Sequence, residues 1–130
     1  MKKYKYWYML IICLLNSMDA LAEINLSTTV GCTYQTGQIL DKKAAENVKN
    51  SIPLNWTFNG LLSTKPIFVS GGDTGKVIAI PIDNGVIIYL PFSHGTSAFT
   101  IWTTGESFWN KQSNVLGDIY SQQYIGTCEN

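Results

Sequence analysis

Arginine is missing from this sequence, and histidine occurs once, at position 94. With no arginine and no basic cluster there is nothing to track a phosphate backbone, so nucleic acid is excluded as a partner. One imidazole and scattered carboxylates, with no short ligand spacing, make no metal site, and no cofactor motif is present. The fragment "GGDTGK" at Gly71–Lys76 has the outline of a phosphate loop. Val77 stands where that motif needs Ser or Thr, however, and a strand pattern follows where a helix is required. Long apolar runs are absent too. The best, "YMLIICLL" at Tyr8–Leu15, breaks at Asn16 and Asp19 after roughly half of the ~20 residues a spanning helix needs. Catalytic groups are equally scarce. Ser93 or Ser97, His94, and Asp73 or Asp83 make a Ser-His-Asp set only on paper, because no nucleophile-elbow pattern surrounds either serine and His94 sits in a turn signal.

What is present begins with a targeting signal. Lys2, Lys3 and Lys5 precede the apolar run, and the small-residue site "ALA" follows it, which reads as a secretory signal peptide over residues 1–22 cleaved after Ala22. Cys13 is a poor lipid-attachment site, since Ile12 before it is bulky and apolar residues continue past it. The expected location is therefore periplasmic or secreted. Residues 23–130 then form one domain of modest core. They carry six lysines against eight acids, a net of −2. Cys32 and Cys128 are the two cysteines left in an exported chain, and only one pairing joins them. The lysine-rich start and "ALA" suit bacterial export; in a glycosylating host Asn25-Leu26-Ser27 and Asn55-Trp56-Thr57 would be acceptor sites.

From Leu54 onward, short β-branched and aromatic runs alternate with turn signals: "LNWTFNGLL", "PIFVSGG", "KVIAIPIDNG", "VIIYLPFSHG", "SAFTIWTTG", "ESFWNKQSN", "SQQYIGTC". Such spacing predicts many short strands joined by tight turns, of which Asn84-Gly85 is the sharpest. Connections this short make neighbours in sequence neighbours in the sheet, hence an up-and-down meander. "INLSTTVGCTY" reads as the first strand, carrying Cys32 to meet Cys128 on the last. One stretch departs from the period: "LDKKAAENVKNSIP" spaces Leu40, Ala44, Val48 and Ile52 by four, with Asp41 as a cap and Pro53 as a stop, and predicts a single short helix.

The hairpin "SAFTIWTTGESFWNKQSN", Ser97–Asn114, holds two of the four tryptophans. A two-residue turn at Thr104-Gly105 would set Ile101 opposite Phe108 and Thr100 opposite Trp109. Phe99, Ile101 and Phe108 then share the core side, while Trp102 and Trp109 share the other with Lys111. A one-residue bulge in the turn would reverse this. The second face is open to three readings: more core, an exposed binding platform, or the lining of a ligand cavity.

"IWTTGESFWNKQ" resembles the signature of the bacterial periplasmic inhibitors of c-type lysozyme. In these an aromatic, two residues, a glycine, a short gap, Phe-Trp, one residue and Lys-Gly occupy consecutive strands of a small disulfide-tied barrel. Trp102, Gly105, Phe108, Trp109 and Lys111 fall into that pattern. The resemblance implies that Lys111, and a serine for which Ser97 is the nearest candidate, enter an enzyme cleft and meet its carboxylates. Gln112 replaces the glycine after the lysine, Phe99 stands where a glycine is usual, and the gap after Gly105 is one residue short. The tail "SQQYIGTC" is similar to small exported bacterial proteins of unassigned function.

The expectation is thus a mainly all-β domain, a small antiparallel up-and-down barrel or curved meander with one short helix and one disulfide. It binds and does not catalyse, using Trp102, Trp109 and Lys111, with Ser97 added by the resemblance. Its partner is another protein of the envelope or outside the cell, blocked as by an inhibitor or immunity protein. Two other classes stay open: a barrel carrying an apolar ligand in a cavity lined by Tyr89, Ile80 and Ile82, and a weak hydrolase built on His94.

Overall fold

The computed structural model describes residues 22–40 and 45–130, so residues 1–21 of the expected signal peptide lie outside the described residues. Nine strands follow in order: β1 (Val30–Leu40), β2 (Ala45–Asn59), β3 (Ile67–Ser70), β4 (Asp73–Lys76), β5 (Ile78–Ile82), β6 (Gly85–Phe92), β7 (Gly95–Trp102), β8 (Glu106–Val115) and β9 (Asp118–Glu129). They form one antiparallel sheet in the order β4-β3-β2-β1-β9-β8-β7-β6-β5. Every neighbour in the sheet is a neighbour in the chain except β1 and β9, which pair first to last. The two edge strands, β4 and β5, are separated only by Val77, whose N–H bonds to the Pro66 carbonyl at 3.2 Å. One kinked strand therefore leaves one edge and becomes the other, which nearly closes the barrel and leaves little exposed edge.

The Gly71-Gly72 turn sits where the sequence punctuation put it, whereas Leu116-Gly117 is a hairpin loop that no turn signal marked. Gly71 (φ 58°) and Gly72 (φ 86°) join β3 to β4, and Leu116 (φ 53°) and Gly117 (φ 85°) join β8 to β9, both pairs in the left-handed region that two-residue hairpin loops require. The β5–β6 turn is shifted by one residue from the expected pair: Ile82 pairs with Gly85, so Asp83-Asn84 forms the loop, with Asn84 at φ 57°.

The predicted helix is not there. Of its span, residues 41–44 are outside the described residues; Leu40 ends β1, and residues 45–53 belong to β2. Thr36–Leu40 pair with β9 on one side and with Ala45–Lys49 on the other. A helix of about ten residues is marginal by itself, whereas a strand here satisfies the ladder groups of β1. Of the residues spaced by four, Leu40, Val48 and Ile52 lie on strands and build no helical stripe, and Ala44 is outside the described residues. The register jumps from Tyr34↔Leu54 to Thr36↔Lys49, so Asn50–Pro53 bulge from the ladder, and Pro53 sits where no donor is needed.

Inside, alternate residues of each strand fill the lumen. Val30, Cys32, Tyr34, Phe58, Val86, Ile88, Phe99 and Ile101 are buried. Rings do most of the filling, with centroids 5.0 Å apart for Trp56–Phe99, 5.1 Å for Phe58–Phe99 and 5.4 Å for Phe99–Trp109. Cys32 lies directly opposite Cys128 and is bonded to it, tying β1 to β9 as expected. The end of the barrel near Thr103–Gly105 is closed by the N-terminal segment. Leu26 is buried there, Ile24 N–H bonds to the Thr103 carbonyl at 2.8 Å, and the Asn130 side chain receives the Asn25 N–H at 2.6 Å.

Candidate functional site

The β7–β8 hairpin decides which candidate residues meet solvent. Gly105 N–H bonds to the Trp102 carbonyl at 2.9 Å, and Gly105 has φ 90°. Thr103, Thr104 and Gly105 therefore make a three-residue loop whose last residue is left-handed, a standard hairpin solution with glycine at that place. Its carbonyl is then taken by the Cys128 N–H at 2.7 Å. The extra loop residue moves the register by one: Ile101 faces Ser107, Thr100 faces Phe108, Phe99 faces Trp109 and Ser97 faces Lys111.

A one-residue change reverses every side chain of β8 relative to the two-residue expectation. The shared face of Trp102 and Trp109 is therefore corrected: the two are on opposite sides of the wall. Trp109 points inward, 7 % exposed, its ring stacked on Tyr124 at 5.1 Å and tilted against Tyr34 at 5.5 Å. Phe108, assigned to the core from the sequence, is outside and makes an edge contact with Trp102 at 5.4 Å. The Thr-Thr-Gly triplet, glycine third, was the signal for this register.

Ser97 and Lys111 do meet, as direct cross-strand partners on the lumen side. Ser97 is buried and accepts the Trp109 Nε1–H at 3.3 Å, so its hydroxyl anchors the indole and offers little to a partner. Lys111 is half-buried beside the lumen, its Nζ 5.3 Å from the Phe92 ring centroid, a cation–π distance. The expected grouping of Lys111 with Trp102 is thus not formed.

A second polar pair lies deeper. Tyr34 OH is 2.6 Å from Ser107 Oγ, which donates to the Thr100 carbonyl at 2.9 Å. Burial pushes the Tyr34 phenol up to about 12, partly offset by the serine hydroxyl. The phenol is therefore neutral at physiological pH and is no nucleophile.

His94 is exposed in the β6–β7 turn, while Asp83 lies in the β5–β6 turn. The eight residues of β6 separate them by roughly 25 Å, so that pair cannot act together. Among the described residues no three His, Cys, Asp or Glu side chains cluster as metal ligands, and no helix is long and apolar enough to cross a membrane.

The outer wall is where the unexplained surface lies. Through the register, Ile80, Ile87, Thr100, Phe108, Ile125, Thr36 and Lys49 form one transverse row from β5 to β2. The adjacent row reads Ile78, Tyr89, Ala98, Asn110, Gln123, Gln38, Asn47. Ile78 is 58 % exposed, Ile80 46 %, Phe108 50 % and Ile125 64 %. Tyr89, Ile80 and Ile82, expected to line a ligand cavity, face outward instead, and the lumen beside them is filled by side chains.

Three depressions mark this wall. One of about 590 Å³ is bordered by Thr36, Gln38, Asn47, Lys49, Phe108, Gln123 and Ile125, and one of about 380 Å³ by Ile87, Tyr89, Thr100, Phe108, Asn110 and Gln123. A third, also about 380 Å³, is bordered by Asn84, Trp102, Thr104, Glu106 and Phe108. Asn110 Oδ1 is buried without a hydrogen-bond partner, an omission that costs about 1–3 kcal/mol. No protein-family model matches the chain, and neither the curated proteins nor the solved structures contain a match.

Proposed function

We propose that this chain is an exported, non-enzymatic binding protein that docks another protein on the outer wall of β5–β8, acting as an inhibitor or immunity-type partner of an envelope enzyme. The observation that carries this reading is a continuous uncharged surface of Ile78, Ile80, Ile82, Tyr89, Trp102 and Phe108, all at least partly exposed. A single exposed leucine or isoleucine is ordinary, but contiguous apolar patches of several hundred Å² on a monomer mark interaction sites. Aromatic residues at the middle of such a patch carry most of the binding energy. Trp102 and Phe108, packed edge to face and bordering the third depression, are the anchors. Glu106 at that border and Asp83 in the β5–β6 turn, with the net charge of −2 over residues 23–130, favour a partner with a basic rim. This replaces the Trp102/Trp109 pair with Trp102/Phe108, because Trp109 is committed to the core.

The test is titration of the purified chain against c-type lysozyme and other cationic wall hydrolases, reading residual activity and affinity. Phe108→Ala is expected to weaken the complex at least about thirtyfold, roughly 2 kcal/mol, with the fold retained. Binding unchanged in Phe108→Ala and Trp102→Ala but lost in Lys111→Ala would move the site to the barrel mouth and refute this surface.

A further inference from the structure

The amide row on β8, β9, β1 and β2 goes unused by the fold and by the docking surface proposed above. Asn110, Gln123, Gln38 and Asn47 stand side by side on four adjacent strands, all on the outer wall. Gln38 Nε2 donates to Asn47 Oδ1 at 3.0 Å, which leaves the other half of each amide open. The Gln123 side chain has no hydrogen-bond partner among the described residues, and Asn110 Oδ1 is enclosed without one. Beside the row, the half-exposed Phe108 ring separates two depressions, and both are bordered by Phe108 and Gln123.

We propose that this groove binds a neutral oligosaccharide. The ligand class follows from the side chains. A primary amide offers two donors and an acceptor, the complement of a sugar hydroxyl, which both donates and accepts. Four amides at the strand spacing of about 4.8 Å extend roughly 14 Å, the length of about three sugar rings. The exposed Phe108 ring gives the apolar face of a pyranose something flat to lie on. Charge speaks against the alternatives: among the described residues bordering the groove Lys49 is the only one charged at neutral pH, too little to hold a polyanion and unfavourable for a cation. A hydroxyl entering the second depression and displacing the cover of Asn110 meets an acceptor already stripped of water. The proposal is argued separately from the protein-docking surface on β5–β8, with which the groove shares Phe108 and Tyr89.

The experiment is a titration of the full chain with cello-, malto- and chito-tetraose, with a galacturonate tetramer as the anionic control. Side-chain amide and backbone NMR shifts locate the ligand, and calorimetry gives its affinity. At least one neutral tetrasaccharide should bind, moving the amide signals of Gln38, Asn47, Asn110 and Gln123. Gln123→Ala, a solvent-facing change that leaves the melting temperature in place, should weaken it tenfold or more, and Ile80→Asp should leave it unaltered. Absence of binding by all three neutral probes overturns the proposal. So do shifts that map elsewhere, preference for the anionic tetramer, or Gln123→Ala binding as tightly as the parent.

Discussion

Trp109→Ala is the most informative single substitution, because the hairpin register predicts that it damages the core and spares the surface. The indole is 7 % exposed and surrounded by Phe99 at 5.4 Å, Tyr34 at 5.5 Å, Trp56 at 5.5 Å and Tyr124 at 5.1 Å. Truncating a buried aromatic to alanine costs about 3–5 kcal/mol from lost transfer and the cavity left behind. Four ring partners place this site at the upper end, since each aromatic pair adds about 0.5–1.5 kcal/mol beyond burial. Ser97 also loses the Nε1–H at 3.3 Å, worth about 1 kcal/mol more if water does not replace it. A domain this small has about 5–15 kcal/mol in total, so the variant should melt at least about 15 °C lower, or fail to fold. Phe108→Ala, half-exposed on the opposite side of the same strand, should shift the melting temperature by only a few degrees. Thermal melts by near-ultraviolet circular dichroism of both variants decide it. A stable Trp109→Ala beside a collapsed Phe108→Ala would mean the two-residue register, and every face assignment on β8 would be reversed.

Three further outcomes are expected. Tyr34 is neutral in the fold up to about pH 12 but ionises near 10 once unfolded, so stability should be fully present below pH 10 and fall between pH 10 and 12. Urea titrations at pH 8 and pH 11.5 should differ by about 2 kcal/mol more in the parent than in Tyr34→Phe. Reducing Cys32–Cys128, which spans 96 positions, should cost about 4–5 kcal/mol on the chain-entropy account, measured by urea midpoints with and without reductant. Gly126→Ala should lose about 1–3 kcal/mol, because its methyl would meet the Tyr34 ring and the Thr33 carbonyl; an unchanged midpoint would show that ring to be free to move.

Much of the architecture was legible along the chain. Two-residue turns with positive φ favour Gly, so Gly71-Gly72 marked a hairpin, and short connections forced a meander. The paired ends followed from cysteine counting, since Cys32 and Cys128 are the two cysteines outside the expected signal peptide. The helix failed for the opposite reason. The fourfold spacing in Leu40–Pro53 is a weak local preference, and the bonds offered by both neighbours of β1 outweighed it.

The candidate site was harder to read because its residues sit on strands whose two faces differ by one position. "TIWTTGESFWN" is compatible with either sidedness, and both versions place an aromatic on each face. Trp109 is inside because Gly105 adopts φ 90° and lends its carbonyl to Cys128, a contact between residues 23 positions apart. Likewise Asn110, Gln123, Gln38 and Asn47 are scattered over more than seventy positions and become a row only through three strand registers. The local code of turns, alternation and cysteines determined that this chain is a disulfide-tied antiparallel meander. Which side of each strand meets solvent was decided by the closed barrel, since a single residue of register, invisible in composition, exchanges core for surface.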